Sequence, residues 1–492
     1  MVFSGHYPAL IVVVLFIAAF AAPLLYRQAK MLTAYFIMAA HIIALAMAVL
    51  LLINVQQHGP VLYHMGGWPP PWGIEFKADP LRLYMVLVVL SVSLWIFFYA
   101  VHDLQHELKI EVIGWYYTLY TVLVGAMAGM ALTNDLFNLF VLMEICTITA
   151  CAIISIKEDR ACLEASFKYL ILSAMGTGCF LLGVAMLYMV TGYLNYSFLQ
   201  AALPEALATY PLNIFTAAAL FIVAFGTKAA LFPLHVWLLD AHASAPSPSS
   251  AMLSGLVIKI YAFVFMLILY EVFPHYLLEQ ILLADIVLWL AAFGVIFGSV
   301  YAMLQSDLKK MLAYSSIGQI AYIFMGIGLD HNLALVGGLY HIMVHAFTKA
   351  TLFMAAGVII YATGVRQIKD LASIGRILPL TMLAFTIGSA SMIGLPGTGG
   401  LISKWYLALG ALESGRPVFV LVILAGSLLN AIYYMPIVIN AFMHQGDFNG
   451  EVKPVPGYMK ISLVIGMVVV VAAGIVSKPV VSLLEKAVAP FF

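Results

Sequence analysis

Long apolar runs separated by short polar segments dominate the chain. Each run is close to the ~20 residues that an α-helix needs to cross the hydrocarbon core of a membrane. The pattern predicts an all-α, polytopic membrane protein of about 14 transmembrane helices. The predicted spans are residues 9–26, 32–54, 82–101, 113–132, 135–156, 168–191, 212–238, 247–271, 279–302, 310–328, 332–361, 377–411, 417–443 and 459–477.

Two of the predicted spans contain residues that break a helix. Pro233 interrupts the seventh span, because proline has no N–H to donate and its ring clashes with the preceding turn. The string GLPGTGGL, which contains Pro396 and Gly397, interrupts the twelfth span. Backbone groups freed within a membrane must be satisfied by protein or by water in a cavity. We therefore expect both breaks to lie against protein or a hydrated cavity.

The broken helices occupy corresponding places in two halves of the chain, as in transporters built from inverted repeats. Spans four to eight and nine to thirteen form the two predicted five-helix repeats, each with a broken fourth helix and a lysine near the break. Second-half counterparts of Glu144 and Lys259 are not evident, so the predicted symmetry is degenerate. The predicted units are a three-helix segment (1–110), the first repeat (111–272), the second repeat (273–445) and a C-terminal helix with its tail (446–492).

Composition agrees with the membrane assignment. Charged residues make up 9% of the 492 residues and the mean hydropathy is +1.06, whereas soluble proteins carry about 25% charged residues. The formal net charge of zero gives no reason to expect nucleic acid. The four cysteines have neither CxxC spacing nor a histidine at zinc-ligand spacing, so they are interpreted as small core residues. They are Cys146, Cys151, Cys162 and Cys179.

Basic residues between the spans predict the orientation, because cytoplasmic loops carry an excess of lysine and arginine. Fourteen spans place both termini on one side of the membrane. If the termini face outward, the inner loops carry a clear excess of lysine and arginine over the outer loops. The inner loops then hold thirteen basic residues: Arg27, Lys30, Lys109, Lys157, Arg160, Lys168, Lys309, Lys310, Arg366, Lys369, Arg376, Lys453 and Lys460. The outer side holds five: Lys77, Arg82, Arg416, Lys478 and Lys486. The string HDLQHELKIEV is interpreted as a solvated inner loop.

Four lysines remain, and each lies well inside a predicted span. They are Lys228, Lys259, Lys349 and Lys404. A charge at the bilayer centre costs at least ~3 kcal/mol, so such residues are functional candidates. His341 and His345 precede Lys349 at four-residue intervals, which places all three on one helix face. Glu144 is the one acid predicted to lie deep within a span.

The deep groups are interpreted as a proton relay. Four lysines face one deep glutamate, so at least three lysines cannot have it as sole partner. An unpaired lysine in low-dielectric surroundings favours its neutral form, and histidine titrates near neutral pH. The alternative is a purely structural role, in which lysines snorkel to the interface or form ion pairs. A lone deep histidine such as His41 is interpreted as a packed residue.

Four strings resemble the antiporter-like subunits shared by respiratory complex I, the Mrp cation/proton antiporters and the related membrane-bound hydrogenases. The resemblance covers about residues 110–445 and rests on KAALFPLHVWLLDAHASAPSPSSAMLSGLVIKIYAF, QSDLKKMLAYSSIGQIAYI, HIMVHAFTKATLFMAAG and GLPGTGGLISKWYL. The string TNDLFNLFVLME is similar to the D-type subunit of Mrp antiporters and to its hydrogenase counterpart. The string CTITACAIISIKEDR favours a hydrogenase-type or related redox complex.

The resemblance implies roles for the deep residues. Glu144 and Lys228 would form a pair that modulates the proton affinity of the lysine. The relay would continue through Lys259 and the His341, His345 and Lys349 face, and it would end at Lys404. The chain would translocate protons in a redox-driven, multisubunit complex of a prokaryotic cytoplasmic membrane, beside further antiporter-like or small Mrp-type subunits. The chain itself is expected to hold no metal or cofactor.

Three other functions stay open. One is the D-type subunit of a secondary sodium/proton antiporter without a redox partner. Sodium prefers oxygen ligands and most deep groups are nitrogen bases, so protons are the expected cargo and coupling to sodium is left open. The second is a solute transporter, which needs a binding pocket in place of a row of bases. The third is an inert scaffold, which does not explain a complete set of deep lysines. The His102 and His106 spacing is not interpreted as a metal site.

Overall fold

The computed structural model describes residues 4–273, 282–443, 448 and 450–492. Single helical turns lie at Ser4–His6, Met65–Gly67, Ile368–Leu371, Ile374–Ile377 and Ala489–Phe491. The helices are α1 (Tyr7–Gln28), α2 (Lys30–His58), α3 (Pro80–Glu107), α4 (Ile110–Leu132), α5 (Leu136–Ser155), α6 (Arg160–Thr191), α7 (Tyr196–Thr209), α8 (Pro211–Lys228), α9 (Val236–Ser244), α10 (Ser247–Val272), α11 (Leu283–Met303), α12 (Leu308–Gly328), α13 (Asn332–Thr363), α14 (Pro379–Ile393), α15 (Gly399–Glu413), α16 (Val418–Met443), α17 (Gly457–Ile475) and α18 (Lys478–Val488).

The prediction of a helical, multi-pass membrane protein is confirmed. Within the described residues, 13 helices are long and apolar enough to cross a membrane. The remaining predicted crossing is the second broken helix, whose apolar first half α14 has 15 residues and is too short to cross alone. The start of the predicted span 279–302 and the predicted unit boundary at 445 lie outside the described residues.

A short β-hairpin between α2 and α3 departs from the all-α prediction. Strand β1 (Val61–His64) pairs antiparallel with β2 (Glu75–Ala78), with Val61 opposite Ala78 and His64 opposite Glu75. Each strand has four residues. Segments this short do not produce a recognisable pattern in the hydropathy between two long apolar runs.

Loops from both halves of the chain meet at one face of the bundle, here called the basic face. Lys109 Nζ, in the α3–α4 loop, lies 3.2 Å from Glu158 in the α5–α6 loop. Arg366, after α13, has its Nε 3.4 Å from Asp307 before α12 and donates a hydrogen bond of 2.9 Å to the carbonyl oxygen of Ala243 in the first half of the chain. These contacts bring together loops that the alternating crossings assign to the same side.

Both described ends of the chain lie on the opposite face. The ring of His6 packs 5.6 Å from that of Tyr63, which follows α2. The ring of Phe491 packs 5.5 Å from that of Tyr270, at the end of α10. Six crossings (α3, α4, α5, α6, α8 with α9, and α10) separate the end of α2 from the end of α10. An even number of crossings returns the chain to the same side, so both ends share a face.

Helices α10, α12 and α13 form the centre of the bundle. Protein buries 100% of the most apolar window of α10 and 94% of that of α12, compared with 33% for α2. Helices α12 and α13 approach closely, since a Cβ added at Gly326 would lie only 2.8 Å from the Cα of Gly338. The helices that carry most of the deep polar residues are therefore those most shielded from lipid.

Candidate functional site

The first broken helix consists of α8 and α9. Helix α8 ends at Lys228 and α9 begins at Val236, with Pro233 between them, as the sequence predicts. The freed carbonyl of Thr227 accepts a hydrogen bond of 2.7 Å from the indole N–H of Trp237. Pro233 itself is exposed at the surface of the chain. The protein therefore buries the end of α8 at Lys228, whereas Pro233 lies at the surface.

Lys228 is buried and faces α5. Its ammonium donates a hydrogen bond to the hydroxyl of Thr147 and lies 5.6 Å from the centre of the Tyr261 ring. Glu144 is one turn from Thr147 on the same helix face, is partly buried and acts electrostatically on Lys228. Its Oε1 has no hydrogen-bond partner. The two members of the expected pair thus lie near each other, but no ion pair within 4.0 Å joins them, and the ammonium hydrogen-bonds to Thr147 instead.

Lys259 lies fully buried in α10. A π-helical turn at Leu253–Val257 precedes it, and its ammonium donates to the carbonyl oxygen of Ser254 within that turn. The hydroxyl of Ser254 lies 2.7 Å from the hydroxyl of Ser316 on α12. Wider π turns loosen the regular backbone ladder and are frequent at functional sites. The apolar pattern of this span shows no trace of the turn.

Lys349 on α13 is held by α12 and α16. Its ammonium donates to the carbonyl oxygen of Leu312 at 2.9 Å, to the hydroxyl of Ser315, and to the hydroxyl of Tyr434 at 3.4 Å. Ser315 is the neighbour of Ser316 in the chain, so adjacent serines of α12 contact the surroundings of both central lysines. Serine hydroxyl groups of α10 and α12 therefore lie between Lys259 and Lys349.

The predicted histidine face of α13 continues from Lys349. The rings of His341 and His345 stack with their centres 5.6 Å apart. His341 Nδ1 lies 2.8 Å from the hydroxyl of Ser403 on α15, and its ring meets Tyr322 edge-on at 5.6 Å. Both ring nitrogens of His345 and the Nε2 of His341 have no protein partner. The described residues therefore leave the hydrogen-bonding capacity of these nitrogens unused.

Lys404 closes the row at the second broken helix, which consists of α14 and α15. Its ammonium donates to the carbonyl oxygens of Met392 at 2.7 Å and Ile393 at 3.0 Å, and to the hydroxyl of Ser427 at 3.0 Å. It also lies 4.9 Å from the centre of the Tyr322 ring. Tyr322 thus stands between His341 and Lys404.

The break between α14 and α15 contains Pro396 and Gly397, as predicted. Gly394 has a φ of +92° and Gly397 a φ of +83°, in the region that L side chains rarely adopt. Pro396 and Gly397 are exposed at the surface of the chain. As in the first broken helix, only the side of the break that faces the lysine is buried.

A polar stripe on α12 was not predicted from the sequence. Ser315, Gln319 and Tyr322 recur at helical spacing, and Ser316 adjoins them, within the string AYSSIGQIAYI. Gln319 is fully buried, yet neither of its amide atoms has a protein partner. The stripe runs from Lys349 to Lys404. The helical spacing of these residues is visible in the sequence. Uncharged polar residues are less unusual within an apolar span than lysines, however, so the spacing alone does not mark them as functional.

His242 on α9 is a second residue that the sequence pattern did not reveal. It is fully buried, and both of its ring nitrogens are without a protein partner. Its ring stacks on Phe353 at 5.3 Å, one turn beyond Lys349 on α13. His242 therefore adjoins the central part of the row.

The prediction that HDLQHELKIEV is a solvated loop is wrong for its first half. Helix α3 continues to Glu107, and Asp103 is only 1% exposed. Lys309, assigned to an inner loop, is 4% exposed at the start of α12. Asp103 is therefore a buried acid that the sequence assigned to solvent, although it lies at the end of α3 and not deep within the span. The reason is that α3 extends almost two turns beyond its apolar run and packs these charges between helices.

His102 and His106 pack against tyrosine rings, and the cysteines are unpaired. The ring of His102 stacks on Tyr458 at 3.6 Å, and that of His106 lies 4.7 Å from Tyr361. In the described part of the chain, no group of three or more metal-ligating side chains comes together. The four cysteines are free thiols: Cys146, Cys151, Cys162 and Cys179.

Comparison with known proteins identifies relatives over most of the chain. Residues 133–430 match the family described as NADH:quinone oxidoreductase/Mrp antiporter, TM. The chain is 41% identical to NADH-quinone oxidoreductase subunit N of Desulforudis audaxviator (strain MP104C), over 89% of this chain and 87% of that one. It is 31% identical to the D-type subunit of the Na(+)/H(+) antiporter of Alkalihalophilus pseudofirmus, over 81% of this chain and 79% of that one.

Solved structures share the fold. A chain of the membrane-bound sulfane sulfur reductase (MBS), an archaeal respiratory membrane complex, aligns with a TM-score of 0.91 at 30% identity, over 98% of this chain and 97% of that chain. A chain of the Mrp complex from Dietzia sp. DQ12-45-1b aligns with a TM-score of 0.88 at 23% identity, over 100% and 98%. The predicted similarity to a D-type antiporter subunit is confirmed, with 31% identity. The identity to subunit N is higher, at 41%. The family predicted from the sequence is confirmed: the chain belongs to the NADH:quinone oxidoreductase/Mrp antiporter family of membrane proteins.

Proposed function

We propose that this chain is the proton-translocating subunit of a redox-driven, multisubunit membrane complex. By their names, its relatives include subunits of an NADH-quinone oxidoreductase and a sodium/proton antiporter, and a chain of a respiratory sulfur reductase complex. The observation that carries the proposal is the row of buried lysines, histidines and hydroxyl groups that extends from Lys259 to Lys404.

The proposed route passes through α12 and α13. A proton leaves Lys259 and reaches Lys349 through the hydroxyl groups of α10 and α12. It continues along the stacked His345 and His341 and reaches Lys404 beside Tyr322. Among the described residues, no carboxylate forms an ion pair with any of these three ammonium groups. A charge that only neutral dipoles solvate is costly in a low-dielectric interior, so each lysine can release its proton.

Glu144 and Lys228 are proposed to control the input of the row. In the structure the ammonium of Lys228 donates to Thr147 and no ion pair joins it to Glu144, so direct pairing requires the two side chains to approach each other. Two charges about 4 Å apart interact by ~4 kcal/mol at an effective dielectric of ~20. An energy of that size changes the protonation equilibrium of Lys228 about a thousandfold. Forming or breaking the pair would therefore bind or release a proton.

A lysine substitution tests the route. The variant Lys349→Met should lower proton translocation by the purified complex in sealed vesicles on the order of a hundredfold, the scale of a lost proton-transfer group. Lys310→Met is the matched control, because Lys310 is an exposed lysine of the same helix region and should leave the rate unchanged. Normal pumping by Lys349→Met in an assembled complex would contradict the relay.

The alternative function is the D-type subunit of a secondary sodium/proton antiporter, which the 31% identity to such a subunit favours. Gentle purification from the native membrane, followed by mass spectrometry, separates the two. Co-purifying iron–sulfur subunits together with nickel or quinone-reductase subunits support the redox-driven complex. Co-purification of other small membrane subunits alone supports the antiporter.

The orientation and the internal repeats also belong to the proposal. We place both termini outside a prokaryotic cytoplasmic membrane, because most basic loop residues lie on the opposite, basic face. The repeats at 111–272 and 273–445 are supported by a broken helix in each. Thiol labelling of a cysteine placed next to Lys109, in cells with intact membranes, tests the orientation. Labelling by a reagent that cannot cross the membrane would reverse it.

A further inference from the structure

A polar cavity of about 430 Å³ reaches the basic face. Its rim includes Arg366 and Lys453, which are exposed. Its wall includes Asp103, Glu107 and Lys309, which lie at the ends of α3 and α12. The relay described above does not use this cavity or any of these charges.

Two carboxylates one helical turn apart in the cavity differ in how fully they are bonded. Glu107 forms an ion pair with Lys157 and accepts a hydrogen bond of 2.9 Å from the backbone N–H of Ser247. Asp103 accepts one hydrogen bond, of 3.3 Å, from the hydroxyl of Tyr99. Its other oxygen, Oδ2, is buried without a protein partner. Glu107 is thus held in place, whereas Asp103 keeps one oxygen available.

A buried imidazole adjoins both this cavity and the row. Ala243, the neighbour of His242 in the chain, lines the cavity, and the His242 ring stacks 5.3 Å from that of Phe353, one turn beyond Lys349 of the row. Lys309 of the cavity wall donates to the carbonyl oxygen of Ala245 at 3.2 Å, three residues beyond His242. Because both ring nitrogens of His242 lack a protein partner, one can take a proton from the cavity side while the other donates toward the row.

We propose that this cavity is the hydrated entrance through which protons reach the row, with Asp103 as the carboxylate that passes them inward. The proton binds Asp103 at Oδ2, moves to the imidazole of His242 and then to Lys259 or Lys349. Only O–H and N–H bonds form and break, and the carboxylate returns to its charged form when the next group is protonated. This inference rests on the proposed function, because it supplies the relay with its protons.

The test uses the purified complex in sealed vesicles. Asp103→Asn should slow proton translocation at least about tenfold, and millimolar formate should restore much of the rate. Formate is a small weak acid that fits the cavity and can carry the proton in place of the missing carboxylate. Asp103→Glu should retain most of the rate. Glu164→Gln is the control, since Glu164 is an exposed acid paired with Lys168 on the same face and should have no effect.

The outcomes separate this inference from the proposed function. A wild-type rate in Asp103→Asn, with a large loss in Lys349→Met, would overturn the entrance and leave the relay standing. Normal rates in both variants would overturn the relay itself. A slow Asp103→Asn complex that formate does not accelerate, with full assembly on a native gel, would assign Asp103 a structural role and overturn the entrance. His242→Phe provides the independent check and should also slow translocation, without rescue by formate.

Discussion

The two broken helices hold their lysines in different ways. In the first, Lys228 is the last residue before the break, and its ammonium contacts the side chain of Thr147 with Glu144 nearby. In the second, Lys404 follows the break and reaches back to the carbonyl oxygens of Met392 and Ile393 at the end of α14. The same residue type at the same kind of break therefore has two environments.

The difference concerns how each charge is stabilised. The C-terminal end of a helix carries roughly half a negative charge, so the end of α14 solvates the ammonium of Lys404 without any carboxylate. That backbone cannot move far, and the setting of Lys404 is fixed. The setting of Lys228 depends on a glutamate side chain that can change rotamer. The first broken helix is thus suited to control, and the second to a constant final step.

The largest effect is expected at the second break. Lys404→Met should abolish proton translocation and also lower stability by about 2 kcal/mol, because the buried carbonyl oxygen of Ile393 loses its donor, whereas that of Met392 keeps a hydrogen bond of 3.1 Å from the amide of Asn430. Thermal unfolding of the purified complex and translocation in vesicles measure the two effects. Lys404→Gln separates them, since an amide can donate to a carbonyl but cannot carry the proton. Recovery of pumping in Lys404→Gln would contradict the proton role.

At the first break, function and stability should separate. Lys228→Met should abolish translocation with a stability loss of about 1 kcal/mol or less, because only a hydroxyl partner is left unmatched. Thermal unfolding of the purified complex and translocation in vesicles again measure the two effects. An unfolding shift as large as that of Lys404→Met would show that the two lysines have equivalent structural roles, and the comparison would fail.

A partial loss is expected when the control element alone is removed. Glu144→Gln keeps the shape of the side chain but removes its charge, so translocation should fall by roughly tenfold while assembly is retained. Glu205→Gln, at an acid on the surface helix α7, is the control and should pump normally. Full activity of Glu144→Gln would mean that Lys228 works without its carboxylate.

The smallest effect concerns the hydroxyl between the pair. Thr147→Val removes the acceptor of the Lys228 hydrogen bond, worth about 1 kcal/mol, and frees the lysine to pair with Glu144. Translocation should change by only a few-fold, and the effect should vanish in a Glu144→Gln background. Additive effects in the double variant would show that Thr147 acts independently of the pair.

Hydropathy and helix-breaking residues were enough to predict the membrane architecture and the places where its helices are interrupted. Hydropathy over about 20 residues predicts a span without reference to any neighbour, and Pro233, Pro396 and Gly397 break helices through their own covalent geometry. The deep lysines were found in the same way, because a charge inside an apolar run is conspicuous in the sequence.

The contacts of these groups, in contrast, follow from how the helices pack together. The partner of a side chain depends on how its helix is rotated and on which helix lies opposite. For this reason Thr147, rather than Glu144, receives the hydrogen bond of Lys228, and Gln319 joins the row from α12. For the same reason Asp103, which lies in a polar string, is buried between helices. The hydropathy pattern predicts each helix separately. A proton path depends on side chains from several helices that face each other, and this arrangement is set by helix packing.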